Sequence, residues 1–206
     1  MDLTFGTFIG RAARAALVGA VAVAASSCGE VARTGQSPAF VIIDSIQGAS
    51  GANPGAFASV LPSDVVTNGT VFNDLGQVTM RLAMRNPGTP SNPTSPSTLN
   101  EVTITRYRVT YRRSDGRNTQ GVDVPYGFDG AFTVTIPAGG SAGAGFDLVR
   151  VQAKLEPPLR NLRGSGAQII ISTIADVTFY GSDQAGNEVT VTGSIGVNFS
   201  DFADPS

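Results

Sequence analysis

From Ala39 onward the chain reads as strands and turns, because its apolar residues recur with a period of two. Over Glu188–Phe199, Val189, Val191, Ile195, Val197 and Phe199 fall at odd positions, against Thr190, Thr192, Ser194 and Asn198 at even ones. Such alternation sends one set of side chains to a core and the other to water, as a half-buried strand requires. Val78, Met80, Leu82 and Met84 alternate in the same way with Gln77, Thr79 and Arg81. So do Phe132, Val134 and Ile136, and Ala175, Val177 and Phe179 within Gln168–Tyr180. Ala39–Ile43 is a compact β-branched run and predicts a buried first strand.

Parity changes within Val102–Arg113: Val102 and Ile104 are apolar at even positions, Tyr107, Val109 and Tyr111 at odd ones. A regular strand cannot show both sets to one core, since a one-residue slip turns every side chain over. A β-bulge near Thr105–Arg106 is therefore expected. Ser114–Arg117 supplies an Asp-Gly hairpin turn. Residues 139–145 read as a glycine-rich turn leading into Phe146–Val151, and residues 47–76 as a long connection. Asn86-Pro87 stops a strand, and residues 88–98 form a Pro/Ser/Thr loop. About seven to nine strands, with no amphipathic helix and no strict repeat, predict an all-β chain: one antiparallel β-sandwich over residues 39–206.

The last hairpin, with Asp183-Gln184-Ala185-Gly186-Asn187 at its tip, resembles the closing hairpin of bacterial immunoglobulin-like and fibronectin-like modules. That resemblance implies a non-catalytic binding or scaffolding module. Met84–Pro87 at a strand end, a later Ile104–Tyr107 strand, and Phe132–Gly140 (FTVTIPAGG) before a further strand resemble the order of the LEA2/water-stress domain. That family is also a small β-sandwich, and the resemblance implies a stress-protective role at a membrane surface.

Ahead of the strands, Arg11 and Arg14 precede a small apolar run from Ala15 to Ala25, which ends in Ala25-Ser26-Ser27-Cys28-Gly29. A basic start, a short apolar stretch and small residues at a cut site describe a secretory signal. The run falls short of the about 20 apolar residues that a spanning helix needs. Small residues directly before a cysteine resemble the lipobox of bacterial lipoproteins, with Ala25 where leucine is usual. The resemblance implies removal of residues 1–27, a diacylglyceryl thioether on Cys28, an acylated new N-terminus, and residues 28–38 as lipidated cysteine and tether. Gly29, rather than aspartate, then implies outer-membrane or surface placement if the source has two membranes. The bland alternative is an ordinary signal peptide with a cysteine near its cut.

Without residues 1–27 the chain has 179 residues, with 12 basic and 15 acidic side chains. That balance points to no nucleic acid partner. The chain holds no histidine, no tryptophan and one cysteine, so His-based triads, imidazole metal sites and disulfides are closed to it. Thirteen arginines against one lysine, Lys154, look like the usage of a GC-rich genome.

Four constellations could carry function. Gly139–Gly145 lacks the Gly-Lys-Ser/Thr ending and the GxGxxG spacing of a phosphate loop, and reads as a turn. Arg106, Arg108 and Arg112 form a basic row, suited either to an anionic polymer or to pairing with acids across strands. Asp115, Asp123 and Asp129, or Asp183, Asn187 and Glu188, could gather around calcium, although these residues are also ordinary turn formers. Tyr126, Phe128 and Asp129 lie in a loop between glycines, where aromatics serve recognition or plug a core. The expected function is that of a lipid-anchored, non-enzymatic envelope module, without a cofactor, that contacts an envelope protein or polysaccharide. A hydrolase with a carboxylate pair would need two acids about 5–9.5 Å apart, and no motif marks them.

Overall fold

The computed structural model describes residues 36–202. The signal-peptide and Cys28 expectations, with most of the tether, lie outside the described residues. Ten strands follow one another: β1 (Ala39–Ala49), β2 (Val60–Asp64), β3 (Asp74–Met84), β4 (Gly88–Thr89), β5 (Asn92–Pro93), β6 (Val102–Arg112), β7 (Phe128–Ile136), β8 (Ser141–Val149), β9 (Ile171–Asp183) and β10 (Glu188–Ser200). A five-residue helix, α1 (Val151–Leu155), follows β8. The chain is all-β, as its alternation predicts.

The strands form a three-stranded sheet, β1-β3-β8, and a five-stranded sheet, β2-β10-β9-β6-β7, while β4 and β5 pair as a small ribbon. Side chains from both larger sheets join one apolar core: Val78, Met80, Phe146 and Leu148 from the first, Val109, Val177, Phe179 and Val197 from the second. At its centre Phe179 meets Phe132 and Phe146 edge-on, at 5.7 and 5.6 Å between ring centroids. Two glycines make room for this cluster. A Cβ on Gly76 would lie 2.4 Å from the Phe146 ring, and one on Gly130 would lie 2.2 Å from Tyr107.

The bulge expected near Thr105–Arg106 is present, since the pairing of β6 with both β7 and β9 shifts between Ile104 and Arg106. Ile104, Tyr107, Val109 and Tyr111 are consequently all buried. In β10, Val197 is fully buried and Val191 half-buried, while Thr190 and Thr192 face water.

Several local expectations need correction. The connection 47–76 contains β2, which pairs in parallel with β10. Ser114–Arg117 does turn, with Gly116 at φ +82°, yet the next strand begins only at Phe128, so β6 and β7 are joined by a 15-residue excursion and not a tight hairpin. The glycine-rich segment is a strand from Ser141, because Ala142 and Ala144 alternate inward beside Phe146 and Leu148.

The molecule has two ends of different character. The compact unit begins at Ser37, whose hydroxyl donates to Asp183 in the β9–β10 hairpin, while Arg85 Nε donates to the Ser37 carbonyl at 2.8 Å. Of the exposed large apolar residues, Leu99 lies at this end, just before β6. At the far end lie the connections β2–β3, β6–β7 and β8–β9, the first and last of them joined by the Val151 N–H donating to Asn73 Oδ1 at 2.7 Å. Six of the nine exposed large apolar residues among those described lie in these connections: Phe72, Val122, Tyr126, Leu155, Ile169 and Ile170.

Candidate functional site

The basic row points outward from β6, as its spacing requires, and acids from both neighbouring strands meet it. Arg106 and Arg108 reach Asp129 on β7 at 3.3 and 2.9 Å, and Arg112 reaches Asp176 on β9 at 2.6 Å. Arg106 also lies over the Tyr180 ring, 4.1 Å from its centroid. Hydroxyl pairs Thr103–Thr135 and Thr178–Thr192, at 3.0 and 2.9 Å, continue the polar ladder. Each charge of the row therefore has a protein partner, the arrangement of a solvated sheet face.

The two loop aromatics part company. Tyr126 is 55% exposed and its ring lies against Gly121, where a Cβ would come within 2.4 Å of the hydroxyl. Phe128 opens β7, is half-buried against the core and sits edge-on to Tyr107 at 6.2 Å. Arg150 covers the Phe128 ring at 3.9 Å and donates to the Asp129 carbonyl at 2.6 Å. Tyr126, Phe128, Arg150, Gln152, Ala153 and Glu156 line a cavity of about 170 Å³ at this point. Of the three residues named from the loop, Tyr126 is the one free to touch a partner, since the Asp129 carboxylate is engaged by two arginines.

The acids considered for calcium serve local structure. Asp115 is clasped by Arg113 and Arg117, with Arg113 the main cause of its carboxyl lying far below the ordinary range. Asp123 accepts from the Thr119 N–H at 3.2 Å. Asp183 closes the β9–β10 turn by accepting from the Ala185 and Asn187 N–H groups at 3.0 and 2.9 Å and from Asn187 Nδ2 at 2.9 Å. Among the described residues no cluster of three or more acids is placed to hold a metal ion.

Burial alone would raise the Asp183 carboxyl, and the donors from Asn187, Ser37 and Ala185 outweigh it, so its pKa lies below the usual value. A depressed carboxylate stabilises the fold above its unfolded pKa of about 3.9, and that contribution is lost as pH falls through the lower folded value. Asp183→Ala is thus expected to lower stability at pH 7 and to flatten the acid limb of a stability-against-pH curve. Chemical denaturation between pH 2 and 7 measures both effects, and an unchanged acid limb would exclude Asp183 as a contributor.

Beneath the far end lies a constellation that the sequence did not reveal. Lys154 Nζ sits 2.8 Å from Asp74 Oδ1, with the two side chains 1% and 0% exposed. Ser63 donates to Asp74 Oδ2 at 2.5 Å and the Gly51 N–H to Oδ1 at 2.9 Å. Desolvation pushes the Asp74 carboxyl above its ordinary value, against the opposing pull of Lys154, Ser63 and Gly51. A solitary lysine among thirteen arginines was the available signal, but nothing local in the sequence marks it as buried.

Three further cavities open on the surface. One of about 340 Å³ lies where β7 and β8 meet, lined by Phe57, Tyr107, Phe132, Phe146 and Asp147 among others. A polar one of about 590 Å³ follows the bulge past Tyr180 and Glu188, and one of about 360 Å³ runs between β1 and β10 beside Asp44. Each of the four cavities has a single acid on its wall, so none offers a carboxylate pair. No protein-family model matches this chain, and no curated protein matches it.

Proposed function

We propose that this chain is a lipid-anchored envelope protein, held at Cys28, whose immunoglobulin-like sandwich presents its far end to an envelope protein or polysaccharide. One observation carries the reading: exposed apolar residues gather in the connections opposite to Ser37, where the tether enters. A tether of nine residues from Cys28 reaches at most about 30 Å, which would hold the Ser37 end toward the membrane and turn the end richer in exposed apolar residues outward. Loops on a rigid sheet scaffold are favoured binding elements, and exposed aromatics among them are frequent anchors. A stress-protective domain of the LEA2 kind would call for an evenly polar surface, which the far end does not have. The paired charges of β6 argue against an anionic polymer on the sheet face.

Photo-crosslinking in intact cells tests the reading. A crosslinker at Tyr126 or Ile169 should give a discrete adduct that one at Thr190 or Leu99 does not, and equal labelling at all four sites would refute it. Tyr126→Ser should abolish the adduct formed from Ile169 with the melting temperature kept. For the anchor, Cys28→Ser should remove the protein from the membrane fraction; an unmodified Cys28 thiol on the mature protein would end that part.

A further inference from the structure

Lys154 is the chain's one lysine, and it occupies the one ion pair sealed from water on both sides among the described residues. Arginine is the usual residue for a buried pair, being less strongly hydrated and able to make two parallel bonds. This chain uses arginine at each of its exposed pairs and lysine at the sealed one. Lysine can do one thing that arginine cannot: its nitrogen can give up a proton and become a nucleophile. We propose that Lys154 and Asp74 condense into an intramolecular amide, a covalent tie between α1 and β3. This does not rest on the anchoring or binding readings.

The groups needed are in place. The amine nitrogen already touches the carboxyl group, at 2.8 Å from Oδ1. Transfer of one proton from the ammonium to the carboxylate, whose proton affinity burial raises, gives an amine and a carboxyl group. The amine then attacks Asp74 Cγ to form a C–N bond and a tetrahedral centre. Ser63 Oγ–H and the Gly51 N–H, which point at the two carboxyl oxygens, stabilise the charge that develops there. Cleavage of one C–O bond releases water. Of the three ammonium hydrogens one stays on the amide nitrogen, and two leave with one carboxyl oxygen. The step needs no oxidant and no co-reactant. Fixed contact between the reacting groups replaces a bimolecular encounter, and exclusion of water protects the product from hydrolysis.

The tie would join residues 80 apart in sequence. A cross-link of that span restricts the unfolded chain in the way a disulfide does, and one cysteine leaves this chain no disulfide to form.

Tryptic mapping of the fully denatured, full-length protein decides the matter. Trypsin cuts after a free lysine and not after an acylated one. The amide predicts that the tetrapeptide 151–154 is absent. It also predicts that peptide 151–160 travels joined to peptide 34–81, one water lighter than their sum. Recovery of the free tetrapeptide together with a linear 34–81 peptide of full mass would overturn the proposal and leave an ion pair. In Asp74→Ala, folded or not, Lys154 should become fully cleavable. Continued protection there would overturn Asp74 as the partner.

Discussion

Phe179→Ala should cost about 3–5 kcal/mol of stability, the range for a large aromatic removed from a core. Phe179 is fully buried on β9 and lies between Phe132 of β7 and Phe146 of β8. Its ring therefore joins the inner faces of the two sheets, and the neighbours cannot close the gap without moving strands already fixed by backbone pairing. Thr192→Ala, on the wet face of β10, should change stability by no more than about 0.5 kcal/mol. Urea unfolding of both variants checks the contrast, and similar losses at the two sites would contradict the assignment of faces.

Asp74→Ala should cost about as much, about 3–5 kcal/mol, because it strands a buried amine without its partner. It also frees two donors, Ser63 and Gly51, that end on the Asp74 side chain. Replacing both members, as Asp74→Ala with Lys154→Met, removes the orphaned group and leaves an apolar side chain in the same space. The double variant is therefore expected to be more stable than Asp74→Ala alone. Denaturant midpoints give the order directly, and a double variant less stable than the single one would show that the lysine is not the group left in distress.

What the sequence disclosed depended on how far the relevant partner lay along the chain. The alternations of β3, β9 and β10 are each written within one strand, and a change of parity within β6 was enough to locate its bulge. The parallel pairing of β2 with β10 joins segments more than 130 residues apart and leaves no local trace. Pro62 in β2 masks that strand further, although an edge position tolerates a missing N–H. In β8 the inward residues Ala142 and Ala144 are so small that the intervening glycines outweighed them. Asp-Gly in the 114–117 turn encodes the bend but not the distance to the next strand.

The candidate site was legible to a lesser degree. Tyr126 could be named from its glycine-flanked loop, whereas Phe128, two residues on, falls on the first inward position of β7. The acids that neutralise Arg106, Arg108 and Arg112 come from β7 and β9, so they could not be assigned before the sheet order was known. Burial of Lys154 depends on the meeting of α1, β2 and β3, which no segment specifies alone.

The way the chain enters the fold bears on how it would carry load. Ser37 is bound to Arg85 and Asp183, and β1 runs from it along the whole length of β3 in ten paired positions. Tension between an anchored N-terminus and a partner gripping the far end would act along the strands, so the hydrogen bonds between β1 and β3 would be sheared together and not unzipped one at a time.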